Sequence, residues 1–525
     1  MTATRSSPRA SALMVLGTAS HVGKSLVTTA FCRLLAEAGH NVAPFKAQNM
    51  ALNSFVTREG GEIGRAQVTQ AEAAGIEPHV DMNPILLKPM SGVSQVVLEG
   101  EPIGVMSARD YYAAKDRLWP RCAEAYDRLA GRYSRIVLEG AGSPVEINLS
   151  EHDLTNLRMA RHADAAIVLV ADIERGGVFA QLIGTWELLE PDDRARIIGF
   201  IINKFRGDVT LLEPGLDFIR QRTGVPVLGV LPYRPDLQVD QEDSLGIEET
   251  ATHEDGDTEA RPDVLDIAVA RLPGLSNFTD FWPLARVPGV HVRYVHRGDE
   301  LGAPDLVVLP GTKTTVRDLD WLRQVGIADS LIRQAQDDRG PLILGVCGGF
   351  QMLGRWIDDP HHVESRETKV QGLGLLEATT RFAQTKARHR VTGRVLDGDV
   401  PILGYEIHMG ETERGEGVPP WSLLTRQRDG AVIEDGAIAP SGRIFGTYVH
   451  GLFDSLPLTI AMVDRLRARR GFPPLDATDW ATHREHLAGR YAALAGLLRE
   501  YLDLQPVWNA LDRFRSSSLA PTCPD

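Results

Sequence analysis

Cysteine is scarce in this chain. Four occur among 525 residues, Cys32, Cys122, Cys347 and Cys523, and none of them forms a CxxC or CxxxH spacing. Neither a disulfide framework nor a zinc site is expected, and a reducing cytoplasm is the compartment that fits. Long apolar runs are missing as well. The longest, residues 165–171, falls far short of the ~20 residues a spanning helix needs. The apolar run ahead of Gly17 holds five residues, too few for a signal-peptide core. Positive charge is in deficit, because 56 Lys and Arg stand against 70 acids for a formal charge of −14. That balance argues against binding nucleic acid or an anionic membrane by bulk charge.

What remains is an ordinary globular composition, 43% hydrophobic and 24% charged, in a chain too long for one core. At roughly 150 residues per domain the length allows three domains, or two large ones. The first half alternates short apolar runs with helical patterns. Residues 13–16 lead into a Gly-containing loop and a helical stretch, 136–138 precede Glu139, 166–171 precede Asp172, and 197–202 precede Asn203. Apolar strands that end in polar residues, with helices between them, predict a parallel sheet covered on both faces. Ligands of such sheets sit at the carboxyl ends of the strands.

Composition changes over 240–263, which holds ten acids and one Arg, a net −9. Its later part, 250–263, reads as an acidic linker. The strand pattern then restarts at 264–269, 290–295, 306–309 and 342–346, with 290–295 alternating as an edge strand does. Residues 480–502 read as an amphipathic helix and 504–525 as a flexible tail. The expected architecture is α/β with two doubly wound domains, 10–249 and 264–503.

Two motifs carry chemistry. Gly17-Thr-Ala-Ser-His-Val-Gly23-Lys24-Ser25 joins the first strand to the first helix. Its backbone N–H groups can cradle phosphate, Lys24 can neutralise the β/γ-phosphates of a nucleotide, and Ser25 can hold Mg²⁺. The spacing departs by one residue from GxxxxGK[ST] when counted from Gly17. Glu139, at a strand end, can complete the Mg²⁺ shell. Asn203 and Lys204 follow another strand as nucleotide-base contacts do, and Lys46 is a candidate for the transferred phosphate or an anionic substrate.

The second motif is Gly345-Val-Cys347-Gly348-Gly349-Phe-Gln351. It places a thiol on a sharp strand-to-helix turn, where the helix start favours the thiolate. Gly348 and Gly311 are candidate backbone donors to an oxyanion. His450, ending an apolar stretch, is the candidate acid/base for the thiol, with His408 its rival.

These motifs in this order resemble known families. GxCxGxQ with a later strand-end His450 resembles class I glutamine amidotransferases. The phosphate loop with VLEGAG resembles the dethiobiotin-synthetase-like branch of P-loop enzymes. Their fusion is similar to the cobyric acid synthase family, as are FKAQNMALNS at 45–54, RAQVTQAEAAG at 65–75, NPILLKP at 83–89, INKFRGD at 202–208, LPGLSNFTDFWPL at 272–284 and GYEIHMG at 404–410.

The resemblance implies amidation of the b, d, e and g carboxylates of adenosylcobyrinic acid a,c-diamide, with Mg²⁺ as cofactor and ATP and L-glutamine as co-substrates. The implied partner is a corrinoid small molecule, with no nucleic acid or membrane and with a homo-oligomer left open. One departure stands out. Many amidotransferases of this class carry HxE, whereas here Leu452 follows His450 by two. Asp454 and Glu406 are the candidates for orienting the imidazole. Competing readings are a cobyrinic acid a,c-diamide synthase, another P-loop amide ligase, and a non-catalytic nucleotide-dependent switch.

Overall fold

The computed structural model describes residues 10–90, 92–237, 264–475 and 483–516. The 250–263 linker and the end of the expected tail, from 517, lie outside them. The described residues form two compact units, one built from 10–51, 63–237 and 487–516, the other from 52–62, 264–475 and 483–486.

The first unit is organised by a six-stranded sheet in the order Val227–Pro232, Ile197–Phe205, Ala166–Asp172, Ser11–Gly17, Arg135–Glu139, Val42–Phe45. All neighbours pair in parallel. Side chains alternate across a strand, so a run apolar at every position must be covered on both faces. On one face Met14, Leu138, Leu169 and Phe200 pack with Cys122, Tyr126 and Leu129 of the helix Ala108–Ala130. On the other, Leu13, Val15, Val137 and Val168 meet Val27, Phe31 and Leu34 of the helix Lys24–Glu37.

That second face is completed from the far end of the chain. Leu494 and Leu498 of the helix His483–Tyr501, and Val507 and Leu511 of the helix Gln505–Ser516, are buried in the same cluster. The turn between them is tied to the sheet, with Asp503 N–H donating to the Leu228 carbonyl at 2.7 Å. The expected boundary at 503 and the tail beginning at 504 are therefore corrected. The chain from 487 on belongs to the first unit, and 505–516 is helical. Its apolar residues are held because the open sheet face offers them a larger burial than solvent does.

The second unit has its own sheet, in the order Val290–Val295, Leu265–Ala270, Leu306–Leu309, Leu342–Val346, Ile444–Thr447, Ala437–Ile438. Its pairings are parallel except the last, and Val290–Val295 is an edge strand. Beside it runs a feature the sequence pattern did not disclose. A seven-stranded sheet is built around a long antiparallel pair, Ala378–Val395 with Val400–Arg414. Among the described residues no helix is long and apolar enough to cross a membrane.

Leu498 has no exposed surface. Leu498→Ala should lower stability by about 2–5 kcal/mol in urea unfolding, as buried Leu truncations do. Leu211→Ala, at a side chain 80% exposed, should change it by less than about 0.5 kcal/mol. Equal shifts would show that the C-terminal helices do not carry the second face.

Candidate active sites

The first site forms where the strand Ser11–Gly17 gives way to the helix Lys24–Glu37. Gly23 sits at φ +102°, a conformation L side chains rarely adopt, and a Cβ there would stand 2.1 Å from Asn203 Nδ2. The close approach lets Asn203 donate to the Val22 carbonyl at 2.9 Å, which ties the loop to the neighbouring strand end. Lys24 Nζ lies across the loop, 2.8 Å from the Ala19 carbonyl and 3.1 Å from that of Gly142.

Glu139, almost fully buried, is the centre of this site. Its Oε1 accepts from Ser25 Oγ at 2.9 Å and from Lys46 Nζ at 3.0 Å, and its Oε2 accepts from Gln70 Nε2 at 2.5 Å. A carboxylate out of water needs such partners, because an unpaired buried charge is costly. Gly17, Gly23, Lys24, Ser25, Lys46, Glu139 and Asn203 are thus brought together. Lys204 is adjacent in sequence but turned to an ion pair with Asp172 at 3.0 Å. Asn203 holds the loop itself, a position suited to shaping a phosphate cradle. Ser25 and Glu139 supply one hydroxyl and one carboxylate oxygen side by side. That donor set fits Mg²⁺, which takes few protein oxygens and fills its shell from phosphate and water. Among the described residues no group of three or more His, Cys, Asp and Glu gathers as a metal cluster.

The second site lies at the carboxyl ends of Leu306–Leu309, Leu342–Val346 and Ile444–Thr447, which are neighbours in register. Cys347 links its strand to the helix Gly348–Leu353 with φ +51° and ψ −107°, a strained conformation for a residue with a Cβ. That strain is what turns the thiol out of the strand line. Cys347 Sγ is 3.8 Å from the Ile407 carbonyl and hydrogen-bonded with His450. Gly311 packs directly on the imidazole, for a Cβ there would stand 2.7 Å from His450 Cε1. Gly348 begins the helix beside Thr312.

The carboxylate bonded to the His450 imidazole is Asp280. Its Oδ2 is 2.7 Å from His450 Nδ1, and its Oδ1 accepts the Gly451 N–H at 3.0 Å. Both side chains are almost fully buried. Burial alone would lower the pKa of His450, but the charges of Asp280 and Cys347 outweigh it and push it up to about 10. The expected candidates are placed elsewhere. Glu406 pairs with Arg426 at 3.2 Å and with His408 at 3.6 Å, and Asp454 lies in the turn after Gly451. His408, the rival base, bonds the Gly410 carbonyl through Nδ1 at 2.7 Å and stacks on Tyr448.

Asp280 lies 170 residues before its partner, so no spacing rule links them. The one local signal was an acid set among aromatics, Phe278-Thr-Asp280-Phe281-Trp282, where an unpaired carboxylate would be poorly solvated. A thiol, an imidazole and a carboxylate are thus brought together at Cys347, His450 and Asp280, in a chain whose other unit carries the Gly17–Ser25 loop.

Comparison with known proteins agrees with that division. Residues 13–245 match the family described as CobQ/CobB/MinD/ParA nucleotide binding domain. Residues 266–457 match the CobB/CobQ-like glutamine amidotransferase domain. The class is therefore that of glutamine-hydrolysing carbon–nitrogen ligases joined to a nucleotide-binding domain. Along nearly its full length the chain is also similar to curated relatives. It is 48% identical over 522 residues to the cobyric acid synthase of Pelotomaculum thermopropionicum, covering 96% of this chain and 97% of the relative. It is 49% identical to that of Sorangium cellulosum, covering 88% and 91%, and 46% identical to that of Desulforamulus reducens, covering 94% and 97%. The chain belongs to the cobyric acid synthase family, whose amidation serves cobalamin biosynthesis.

Because the folded pKa of His450 is raised, the stabilisation from its charge pair is fully present below the ordinary value near 6.5. It is lost as pH rises through about 10. Asp280→Asn should therefore destabilise the chain most at and below about pH 6.5, with the difference shrinking as pH rises toward 10 in urea titrations. It should also slow glutamate release by about 10²–10⁴-fold, as loss of an orienting carboxylate does. Unchanged turnover would remove Asp280 from the site.

Proposed function

We propose that the chain uses ATP and glutamine to amidate the b, d, e and g carboxylates of adenosylcobyrinic acid a,c-diamide, giving adenosylcobyric acid. The observation that carries this reading is the Cys347–His450–Asp280 line in one unit of a chain whose other unit gathers Lys24, Ser25, Lys46 and Glu139 around a phosphate loop. A free carboxylate is a poor acyl donor, so it is first activated. One of its oxygens attacks the γ-phosphorus of ATP, ADP leaves, and an acyl phosphate forms. Lys24 and the loop N–H groups hold the phosphate oxygens, and Lys46 offsets the charge of the transferred group or of the polycarboxylate. Ser25 and Glu139 would hold Mg²⁺, which supplies charge neutralisation at the phosphates.

In the other unit the Cys347 thiolate attacks the side-chain amide carbon of glutamine. Backbone N–H groups of Gly348 and Gly311 receive the developing oxyanion. His450, holding the proton, delivers it to the departing nitrogen, which leaves as ammonia, while Asp280 keeps the ring in place. Water then attacks the thioester, with His450 as base, releasing glutamate and regenerating the thiol. Ammonia displaces phosphate from the acyl phosphate to give the amide. The buried free thiols of Cys32 and Cys122 are in keeping with a reducing cytoplasm.

Mass spectrometry of the a,c-diamide incubated with ATP and glutamine should show all four remaining carboxylates converted to amides. Turnover of cobyrinic acid in place of the a,c-diamide would assign the chain instead to the neighbouring a,c-diamide synthase reaction. Cys347→Ser should abolish amidation from glutamine and preserve it with free ammonia, whereas Lys24→Ala should abolish both. Loss of both activities in a folded Cys347→Ser variant would count against separate chemistries.

A further inference from the structure

Residues 52–62 belong in sequence to the half of the chain that carries the phosphate loop, yet they fold within the second unit. They are fastened there by buried polar contacts. Ser54 N–H donates to Asn277 Oδ1 at 3.3 Å, Asn277 Nδ2 donates to the Tyr405 hydroxyl at 2.9 Å, and that hydroxyl donates to the Ser54 carbonyl at 3.0 Å. The three bonds close a ring. Beside it Phe278 N–H donates to Asn53 Oδ1 at 3.1 Å. At the far end of the segment, Glu62 pairs with Lys386 at 2.6 Å, both side chains buried.

The ring touches the thiol chemistry on two sides. The Tyr405 aromatic ring lies stacked on the His450 imidazole, centroids 5.7 Å apart and planes 24° from parallel, and Phe55 of the segment meets the same Tyr405 ring edge-on at 4.9 Å. Asn277 caps the 3₁₀ turn Phe278–Phe281, and its carbonyl accepts the Asp280 N–H at 3.0 Å. Asn277 sits at φ +52°, a strained position kept because its side chain is held at both ends. The same few hydrogen bonds therefore set the surface on which His450 rests and the turn from which Asp280 reaches it.

We propose that the 52–62 segment is a positioning element of the glutamine-cleaving site, acting through Ser54, Asn277 and Tyr405 on the imidazole of His450. No residue of the segment is a catalytic residue. The segment limits the imidazole to the orientation in which Nδ1 faces Asp280 while the thiol faces the opposite edge. A satisfied buried network of this kind fixes geometry more tightly than apolar packing alone. This inference rests on the two-site reading above.

The test uses the full chain carrying Tyr405→Phe, which keeps the aromatic ring and removes two bonds of the hydrogen-bonded ring. Expected is a fall of about 10-fold or more in kcat for glutamine-dependent amidation, a misplacement effect, with the KM for glutamine changed by less than about 2-fold. Amidation from free ammonia should keep its rate. Asn53→Ala, measured in parallel, should move kcat in the same direction by a smaller factor. It carries the test should Tyr405→Phe not fold.

Glutamine-dependent kcat at the unsubstituted level in either folded variant overturns the proposal. An equal loss of ammonia-dependent amidation also overturns it, since that is what a merely structural role would give. Failure of the two-site reading is a separate result, seen as absent glutamine-dependent amidation in the unsubstituted chain.

Discussion

A buried charge pair cannot be left half made. Asp280 and His450 are both out of water, and removing either partner from such a pair typically costs about 3–5 kcal/mol. That demand organises the glutamine-cleaving unit. The Phe278–Phe281 turn must present a carboxylate, the strand end must present an imidazole, and the Gly451 N–H must take the second carboxylate oxygen. Gly311 follows from the same constraint, because the imidazole occupies the space its side chain would need.

The nucleotide unit solves a matching problem with the opposite sign of ligand. Glu139 is buried beside the Gly17–Ser25 loop of the nucleotide-binding domain, where a bare carboxylate out of water would be costly. Lys46, Ser25 and Gln70 together satisfy that carboxylate, so the negative group is held without being left to face the loop unpaired. Asn203 then fixes the loop from the adjacent strand end. The acidic balance of the whole chain says little about this site, since much of it falls in 240–263.

Local pattern made much of this legible. Runs such as 166–171 are apolar at every position, and only a sheet buried on both faces uses them. The glycines around Cys347 announce a turn too tight for side chains, and Lys24 and Ser25 follow Gly23 at the start of a helix. What escaped were contacts between residues far apart in the chain. Asp280 has no register with His450, and Glu406 and Asp454 were closer in sequence but are placed differently. The long antiparallel pair around 378–414 alternates polar and apolar residues with charges on its open face, so it lacked the dense apolar signal of the central strands. The segment 52–62 carries no motif of its own, and its hydrogen bonds run through side chains 223 and 351 residues away.

By itself the amino-acid sequence determined the two parallel sheets and the residues that stand at their strand ends. Those features come from periodicity and from backbone turns, which are properties of neighbouring residues. Only the tertiary structure decided that Asp280 faces His450, that 52–62 folds with the second unit and that 487–516 folds with the first. Each of these depends on which buried polar group or open apolar face finds a partner in three dimensions. Neither a charge nor an exposed sheet face specifies, in sequence, where its partner lies.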